Sequence, residues 1–428
     1  GPRTTRAASR WKTRRVPAAD PQPTETATDP LTTAAAPDGI VTTDVAVVGL
    51  GAWGSQALWR LAARGVDAVG IEQFAVGHAL GSTHGRTRLF RELCLEHPGL
   101  TPVAVRAREL WRELEQASGT ELLTLTGGVM VGPRHGRVVA GVLAAGEAAG
   151  RDLEVLTAPE VRERFPVLAT TADDHDGVLD PGAGIARPEA GVRAAVDAAR
   201  TAGARTVRAR VESVEEESGG VLVRLAGGGA VRARQVVLAA GAWTGALTGL
   251  PLQPRRVPMF WFTGRERAAT DPGGILDLAR FPVVIRELDD GRCLWGHGSS
   301  RPGQRDGFDV KLGLDDDGSA DLGFSDAEPD HLDRSIAPGR DAAALGAAAR
   351  LAYPAVEPVP RSGVACMYTR SPDGQFVVGR LPGRERVLVA GGDSGHGHKH
   401  APAVGELLAQ AVAGERSFTD VDFMRPGR

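Results

Sequence analysis

The 428-residue chain has room for two domains or one large two-part unit. Its 42% hydrophobic and 24% charged residues are those of a soluble globular protein, and a net charge of −3 gives no general attraction to nucleic acid or an anionic membrane. No apolar run approaches the roughly 20 residues that span a bilayer, and Cys94, Cys293 and Cys366 do not suggest a disulfide framework.

Residues 1 to about 40 are rich in Thr, Ala, Pro and Arg and read as disordered, because little apolar content is there to pack. The opening Gly-Pro reads as a tag-cleavage scar. Arg14-Arg15 is not followed by the apolar stretch of a secretion signal, so a cytoplasmic location is expected. The chain then enters Asp44-Val-Ala-Val-Val-Gly-Leu-Gly-Ala-Trp-Gly-Ser55. A β-branched run is followed by Gly49, Gly51 and Gly54 at G-x-G-x-x-G spacing. Ser55 to Arg64 reads as a helix, Gly65 stops it, and Val66 to Ile71 reads as a second strand ending at Glu72. Each part has a physical task in holding a dinucleotide. Gly49 permits the tight turn, Gly51 lets the backbone approach a pyrophosphate, and Gly54 lets helix and strand pack closely. The helix N-terminus offers N–H groups to the phosphates. Glu72 can accept hydrogen bonds from a ribose hydroxyl, which favours NAD or FAD over NADP and leaves those two open.

The loop Gln73 to Gly85 follows, and then Arg86, Arg88 and Arg91 cluster where a sheet's carboxyl-end loops line a ligand crevice. Helices are expected over Pro102 to Glu115, near Gly136 to Ala149, and over Arg187 to Ala202. Thr206 to Val214 and Gly220 to Leu225 alternate like hairpin strands. Val231 to Ala240 reads as a buried strand running into Gly241-Ala242-Trp243-Thr244, which would return the chain to the nucleotide sheet. Further strands are expected at Val257 to Phe262, Gly291 to Gly296, Val364 to Thr369, Phe376 to Val378 and Val387 to Ala390. Asp306 to Phe324 is acidic and glycine-rich. Helix is expected around Ala342 to Arg350 and over Ala401 to Ala413. Between the last strand and helix lies Gly391-Gly-Asp-Ser-Gly-His-Gly-His-Lys-His400, a second place for backbone to approach a cofactor.

Among 50 cationic side chains only Lys12, Lys311 and Lys399 are lysines. In so Arg-rich a chain, a retained Lys outside the tail suggests a need for a compact ammonium with a movable pKa.

Four stretches together resemble the flavoprotein amine oxidases of the monomeric sarcosine oxidase and N-methyltryptophan oxidase type. They are the Gly49 to Gly54 turn with Glu72, Gly81-Ser-Thr-His-Gly-Arg-Thr-Arg-Leu-Phe-Arg91, Ala365-Cys-Met-Tyr-Thr369, and Ser394-Gly-His-Gly-His-Lys399. The resemblance covers residues 41 to 428. It implies an α/β fold: a Rossmann-type FAD-binding domain of the glutathione-reductase kind, with a second, mixed-sheet substrate domain. The FAD domain would take residues 41–122, 187–250 and 358–428, and the substrate domain 123–186 and 251–357.

The resemblance also implies roles for single residues. Cys366 matches the cysteine that bonds covalently to the flavin 8α-methyl. Arg91 and Lys399 match the clamp on the substrate carboxylate. Arg88 and His84 match an arginine and histidine near the flavin ring, and Tyr368 should face the substrate. Ser82, Thr83, Val211, Gly241, Trp243, Gly395, His396 and Gly397 complete the cofactor-binding set. No metal is expected at His396, His398 and His400, because the glycines and Lys399 among them match a flavin-contact loop.

Two departures bear on the chemistry. Lys311 is the candidate for the family's lysine above the flavin, which promotes reaction with oxygen, but the stretch from Trp295 to Lys311 is longer here. An aromatic hydroxyl and a histidine of sarcosine oxidase are replaced by Trp295 and Asp315. Asp315 is then a candidate base for the substrate amine, unless the longer loop leaves it in solvent, and His297 is a candidate source of the missing imidazole. The expectation is an FAD-dependent amine or amino-acid oxidase that gives an imine and hydrogen peroxide. Its partners would be a small amine or amino acid and molecular oxygen, with no nucleic acid or membrane, and a monomer is favoured. A flavin dehydrogenase or tailoring enzyme with another acceptor, and a non-catalytic nucleotide-binding protein, are the alternatives.

Overall fold

The strand Ile40–Val48 is β-branched at seven of nine positions, which favours extension, and Val45 to Val48 are buried or nearly so. It stands at the centre of a parallel sheet, as such two-sided burial requires. The computed structural model describes residues 34–35, 39–300, 307–318 and 322–428. Ile40–Val48 lies between Ala68–Glu72 and Ala230–Leu238, both parallel to it. Arg205–Arg208 extends the sheet beyond Ala68–Glu72, and Val387–Gly391 pairs parallel with the last residues of Ala230–Leu238. The antiparallel hairpin Val211–Glu217 and Gly220–Leu225 is hydrogen-bonded to the first part of that same strand.

Two readings need correction. Thr206 to Val214 is not one hairpin strand. It breaks at Ala209-Arg210, and its first part is a parallel strand beside Ala68–Glu72 while its second part enters the hairpin. Alternation continues through the break, so periodicity hides it. In the N-terminal segment read as disordered, residues 1–33 and 36–38 lie outside the described residues, and Ala34–Ala35 forms a short strand parallel to Val207-Arg208.

The helix Ala52–Ala62 runs from the glycine turn and is buried along most of its length. It crosses two further helices, Pro188–Thr201 and Ala401–Ala413. The second crossing is close: a Cβ on Gly405 would lie 2.6 Å from the backbone of Gln56.

A second sheet is mixed. Its central order runs Gln253–Phe262, Val310–Leu314, Cys293–His297, Val283–Glu287, Gly128–Pro133 and His175–Asp180, with Ser362–Arg370 antiparallel to Gln253–Phe262. The chain leaves this sheet after Arg370 and rejoins the first at Val377–Arg380. The pleat sorts the side chains by alternation. Phe260, Phe262, Leu294, Leu312 and Leu314 point into a core with Tyr353 and the helix Ala343–Ala352. Met259, Trp261, Trp295, Lys311, Cys366 and Tyr368 occupy the alternate positions and so share the opposite face. The helix expected around Ala342 to Arg350 is Ala343–Ala352, and a short helix, Pro338–Asp341, begins at a proline just before it.

The glycine turn has little room. Gly49 has φ +86°, and a Cβ on Gly54 would lie 1.8 Å from the Gly49 carbonyl oxygen. Gly54→Ala is therefore expected to destabilise the fold by about 1–3 kcal/mol through overpacking. A thermal melt reads this as a lowered Tm, and a Tm equal to that of the wild type would contradict the close approach.

Candidate active site

Both sheets face one cavity of about 860 Å³. The carboxyl ends of the parallel strands supply Val48, Ile71 and Ala239 to its lining, which is where an open α/β sheet binds ligands. The polar face of the second sheet supplies Met259, Trp295, Lys311, Cys366 and Tyr368.

At the nucleotide end, Gly49, Gly51, Glu72, Val211, Gly241 and Trp243 line the cavity. Glu72 is buried, and its carboxylate accepts from Leu50 N at 2.9 Å and Phe74 N at 3.0 Å. These bonds fix the acid beside the glycine turn. The helix N-cap, Gly51, has no side-chain cap, and Thr83 Oγ1 accepts from Ala52 N at 3.2 Å. Gly54 lies within the helix, behind the lining, as its packing role requires. Trp243 Nε1 donates to Asp330 at 2.9 Å.

Further along, Ser82, Thr83, Arg88, Cys366, Gly395, His396 and Gly397 also line the cavity. Cys366 Sγ lies 3.6 Å from Ser82 O and 4.0 Å from Arg88 Nη2. Burial pushes its thiol up, and Arg88 opposes this. Lys311 is buried. It donates to the carbonyls of Thr87 at 2.7 Å and Gly85 at 3.0 Å, with its ammonium 5.4 Å from the centre of the Trp261 ring. Burial, with Arg88 adding repulsion, holds its pKa well below the usual lysine range.

Arg91 and Lys399 converge, and they converge on a carboxylate of the chain itself. Arg91 Nη2 donates to Glu96 Oε1, and Lys399 Nζ donates to the same oxygen at 3.2 Å. Both cations are buried. Burial alone would raise the Glu96 carboxyl, but Arg91 and Lys399 hold it well below the usual carboxylate range. Sequence reasoning missed Glu96, although it lies five residues after Arg91. The other missed groups are Arg137 and Asp316. Asp316 accepts from Tyr368 Oη and from Arg255 Nη2, each at 2.8 Å, so the phenol is tied to a carboxylate in the cavity wall. Arg137 stands beside Asp315, with Nη2 3.6 Å from Oδ2.

Two candidate residues are placed elsewhere. His297 is fully buried outside the lining, bonded through Nε2 to Thr87 Oγ1 at 2.9 Å and through Nδ1 to Gly298 O at 2.8 Å. Burial lowers its pKa to about 3, so it is a neutral structural imidazole and does not replace the missing histidine. His84 is also buried outside the lining, and burial together with Arg88 keeps it neutral. The three histidines of the last turn diverge. His396 stacks on Phe376 and bonds Gly374 O, His398 lies against Trp111, and His400 approaches Cys94.

The lining fits FAD. The glycine turn and Glu72 sit at the carboxyl ends of the strands, and the cavity continues from them to Cys366. Thr369 Oγ1, Gln375 Oε1 and both ring nitrogens of His398 are buried, belong to lining residues and have no hydrogen-bond partner among the described residues. A dinucleotide-binding oxidoreductase with a substrate chamber over its cofactor is the class that this arrangement defines.

The FAD dependent oxidoreductase family model matches residues 44–411, and the chain belongs to that family. A monomeric sarcosine oxidase of Streptomyces avermitilis is 33% identical over 375 residues, covering 86% of this chain and 93% of that protein. An N-methyl-L-tryptophan oxidase of Salmonella dublin is 28% identical over 387 residues, covering 90% and 98%. Among solved structures, NikD, an unusual amino acid oxidase essential for nikkomycin biosynthesis, superposes with a TM-score of 0.73 at 23% identity over 90% of this chain and 98% of that one. Glycine oxidase from Geobacillus kaustophilus gives 0.71 at 21% over 91% and 99%. These two likenesses bear on the fold. Among the described residues no helix is long and apolar enough to cross a membrane.

Removing either cation should weaken binding of a small carboxylate. Arg91→Ala and Lys399→Ala are each expected to cost about 1.5–3 kcal/mol, the range for a charged hydrogen bond, in a spectral titration of the flavin. Unchanged affinity in both variants would mean that carboxylates bind elsewhere.

Proposed function

We propose that this protein oxidises the C–N bond of an amino acid to an imine, which water hydrolyses, with molecular oxygen reduced to hydrogen peroxide. The observation that carries the reading is the pair Arg91 and Lys399 holding one carboxylate inside the cofactor cavity. A free amino acid presents the same group. The sarcosine and N-methyl-L-tryptophan oxidases among the relatives support this substrate class.

Bound FAD supplies the two-electron acceptor, and the protein orients the substrate and tunes charge around it. The substrate carboxylate exchanges with Glu96 between the two cations. Arg91 contributes a fork-shaped guanidinium and Lys399 a point charge. Lys311 holds Nζ beside the same cavity, and in its protonated form it would stabilise negative charge developing on oxygen. Cys366 is the proposed attachment point of the flavin through a thioether.

The indole of Trp295 lies across the facing strand. A Cβ on Gly313 would meet Trp295 Cζ2 at 2.1 Å, so the glycine makes room for the ring. The chamber therefore has a broad apolar indole at the position where the resemblance places an aromatic hydroxyl, which suits an amino acid larger than sarcosine.

Anaerobic mixing of the holoenzyme with primary, N-methyl and cyclic amino acids should bleach the flavin. Larger members should act faster than sarcosine. No bleaching by any member would overturn the oxidase reading, and bleaching without rapid reoxidation in air would assign a different acceptor. In the same preparations, acid precipitation should leave a yellow pellet, and Cys366→Ala should release the colour. A colourless wild-type pellet would refute the covalent bond alone.

A further inference from the structure

The cavity carries a second charged pair besides the clamp at Arg91 and Lys399. Arg137 is the first residue of the helix Arg137–Ala148, and Asp315 directly follows the strand Val310–Leu314. Both line the cavity, together with Cys293, Trp295, Ile285 and Leu95. Arg137 Nη2 lies 2.8 Å from Cys293 Sγ and 3.6 Å from Asp315 Oδ2. The first contact holds the guanidinium in place. The second is longer than a good hydrogen bond but within ion-pair reach, so the two charges are paired side by side and each keeps open donor or acceptor positions toward the cavity. Their side chains keep 55% and 51% of their surface accessible, in a wall otherwise packed with protein. Burial pushes the Cys293 thiol up to about 12, so it stays neutral beside Arg137.

We propose that Arg137 and Asp315 form a second recognition subsite, which takes a neutral donor–acceptor group, a carboxamide or ureide, on the side chain of the substrate amino acid. This rests on the amino-acid oxidase reading. The charge balance selects the group. At the clamp the substrate's α-carboxylate takes the place of Glu96 between Arg91 and Lys399. Arg137 and Asp315 sum to zero. A second carboxylate on the substrate would meet Asp315, and a cation would meet Arg137. An amide satisfies both, with its carbonyl accepting from the guanidinium and its N–H donating to the carboxylate. An apolar side chain of the same length displaces water from both and returns no hydrogen bond.

The test is the rate of anaerobic flavin reduction by the wild-type holoenzyme with glutamine, glutamate and norleucine, which match in length, and the longer citrulline, each as the primary and the N-methyl amino acid. Glutamine or citrulline should exceed both norleucine and glutamate by about tenfold or more, the discrimination that unpaired site groups impose. Arg137→Met and Asp315→Leu should each bring the ratio of glutamine to norleucine toward one. A wild type that oxidises norleucine or glutamate as well as glutamine and citrulline overturns the subsite and leaves the oxidase reading intact. So does a ratio that survives in both variants. Reduction by no amino acid overturns the oxidase reading, and this inference with it. If a variant loses its flavin, the wild-type ratio decides alone.

Discussion

Two buried cations cannot stand together in a protein interior without a counter-charge, because desolvation and mutual repulsion both oppose them. Arg91 and Lys399 are 6% and 3% exposed, and Glu96 is their answer. The three come from distant parts of the chain. Arg91 and Glu96 lie just past the first arginine-rich loop, and Lys399 lies in the last glycine-rich turn. Their shared charge balance joins those two segments in the wall of the cavity. It also sets a condition on any ligand there: a carboxylate must do for the cations what Glu96 already does.

The rest of the site is arranged by two simpler periodicities. Parallel strands end together and present the glycine turn, Glu72 and Trp243 from one side. The pleat of the second sheet presents Lys311, Cys366, Tyr368 and Trp295 from the other. The cavity is the space between these faces. The opposite face of the second sheet is sealed by Phe260, Phe262, Leu312 and Tyr353, so the polar face is held by an apolar core.

Much of this was legible from short-range spacing. The glycine motif, the acid that ends the second strand, the final strand, turn and helix, and the grouping of Arg88, Arg91, Cys366 and Lys399 all follow from residues close together or from family motifs. What could not be read arises from contacts between distant segments. Glu96 carries no periodic signal, and only the fold shows that it turns back to Arg91 and meets Lys399. Arg137 begins an ordinary amphipathic helix whose position over Cys293 and Asp315 depends on the second sheet. His297 lies two residues after Trp295 and shares its face of the strand, yet the loop Gly85 to Thr87 closes over that end and takes the imidazole as a structural partner. The break at Ala209-Arg210 is likewise invisible to alternation, because both halves are strands in one sheet.

The central claim is that Glu96 occupies the place of a substrate carboxylate, and replacing its charge tests this most directly. Glu96→Gln leaves a side chain of the same shape and removes the internal competitor. Titration of the oxidised holoenzyme with a small carboxylate, followed by the flavin spectrum, should give a Kd lower than that of the wild type by about tenfold, or about 1.4 kcal/mol. A Kd that is unchanged or higher would contradict the account, because Glu96 would then be holding the clamp in shape and not standing in for the substrate.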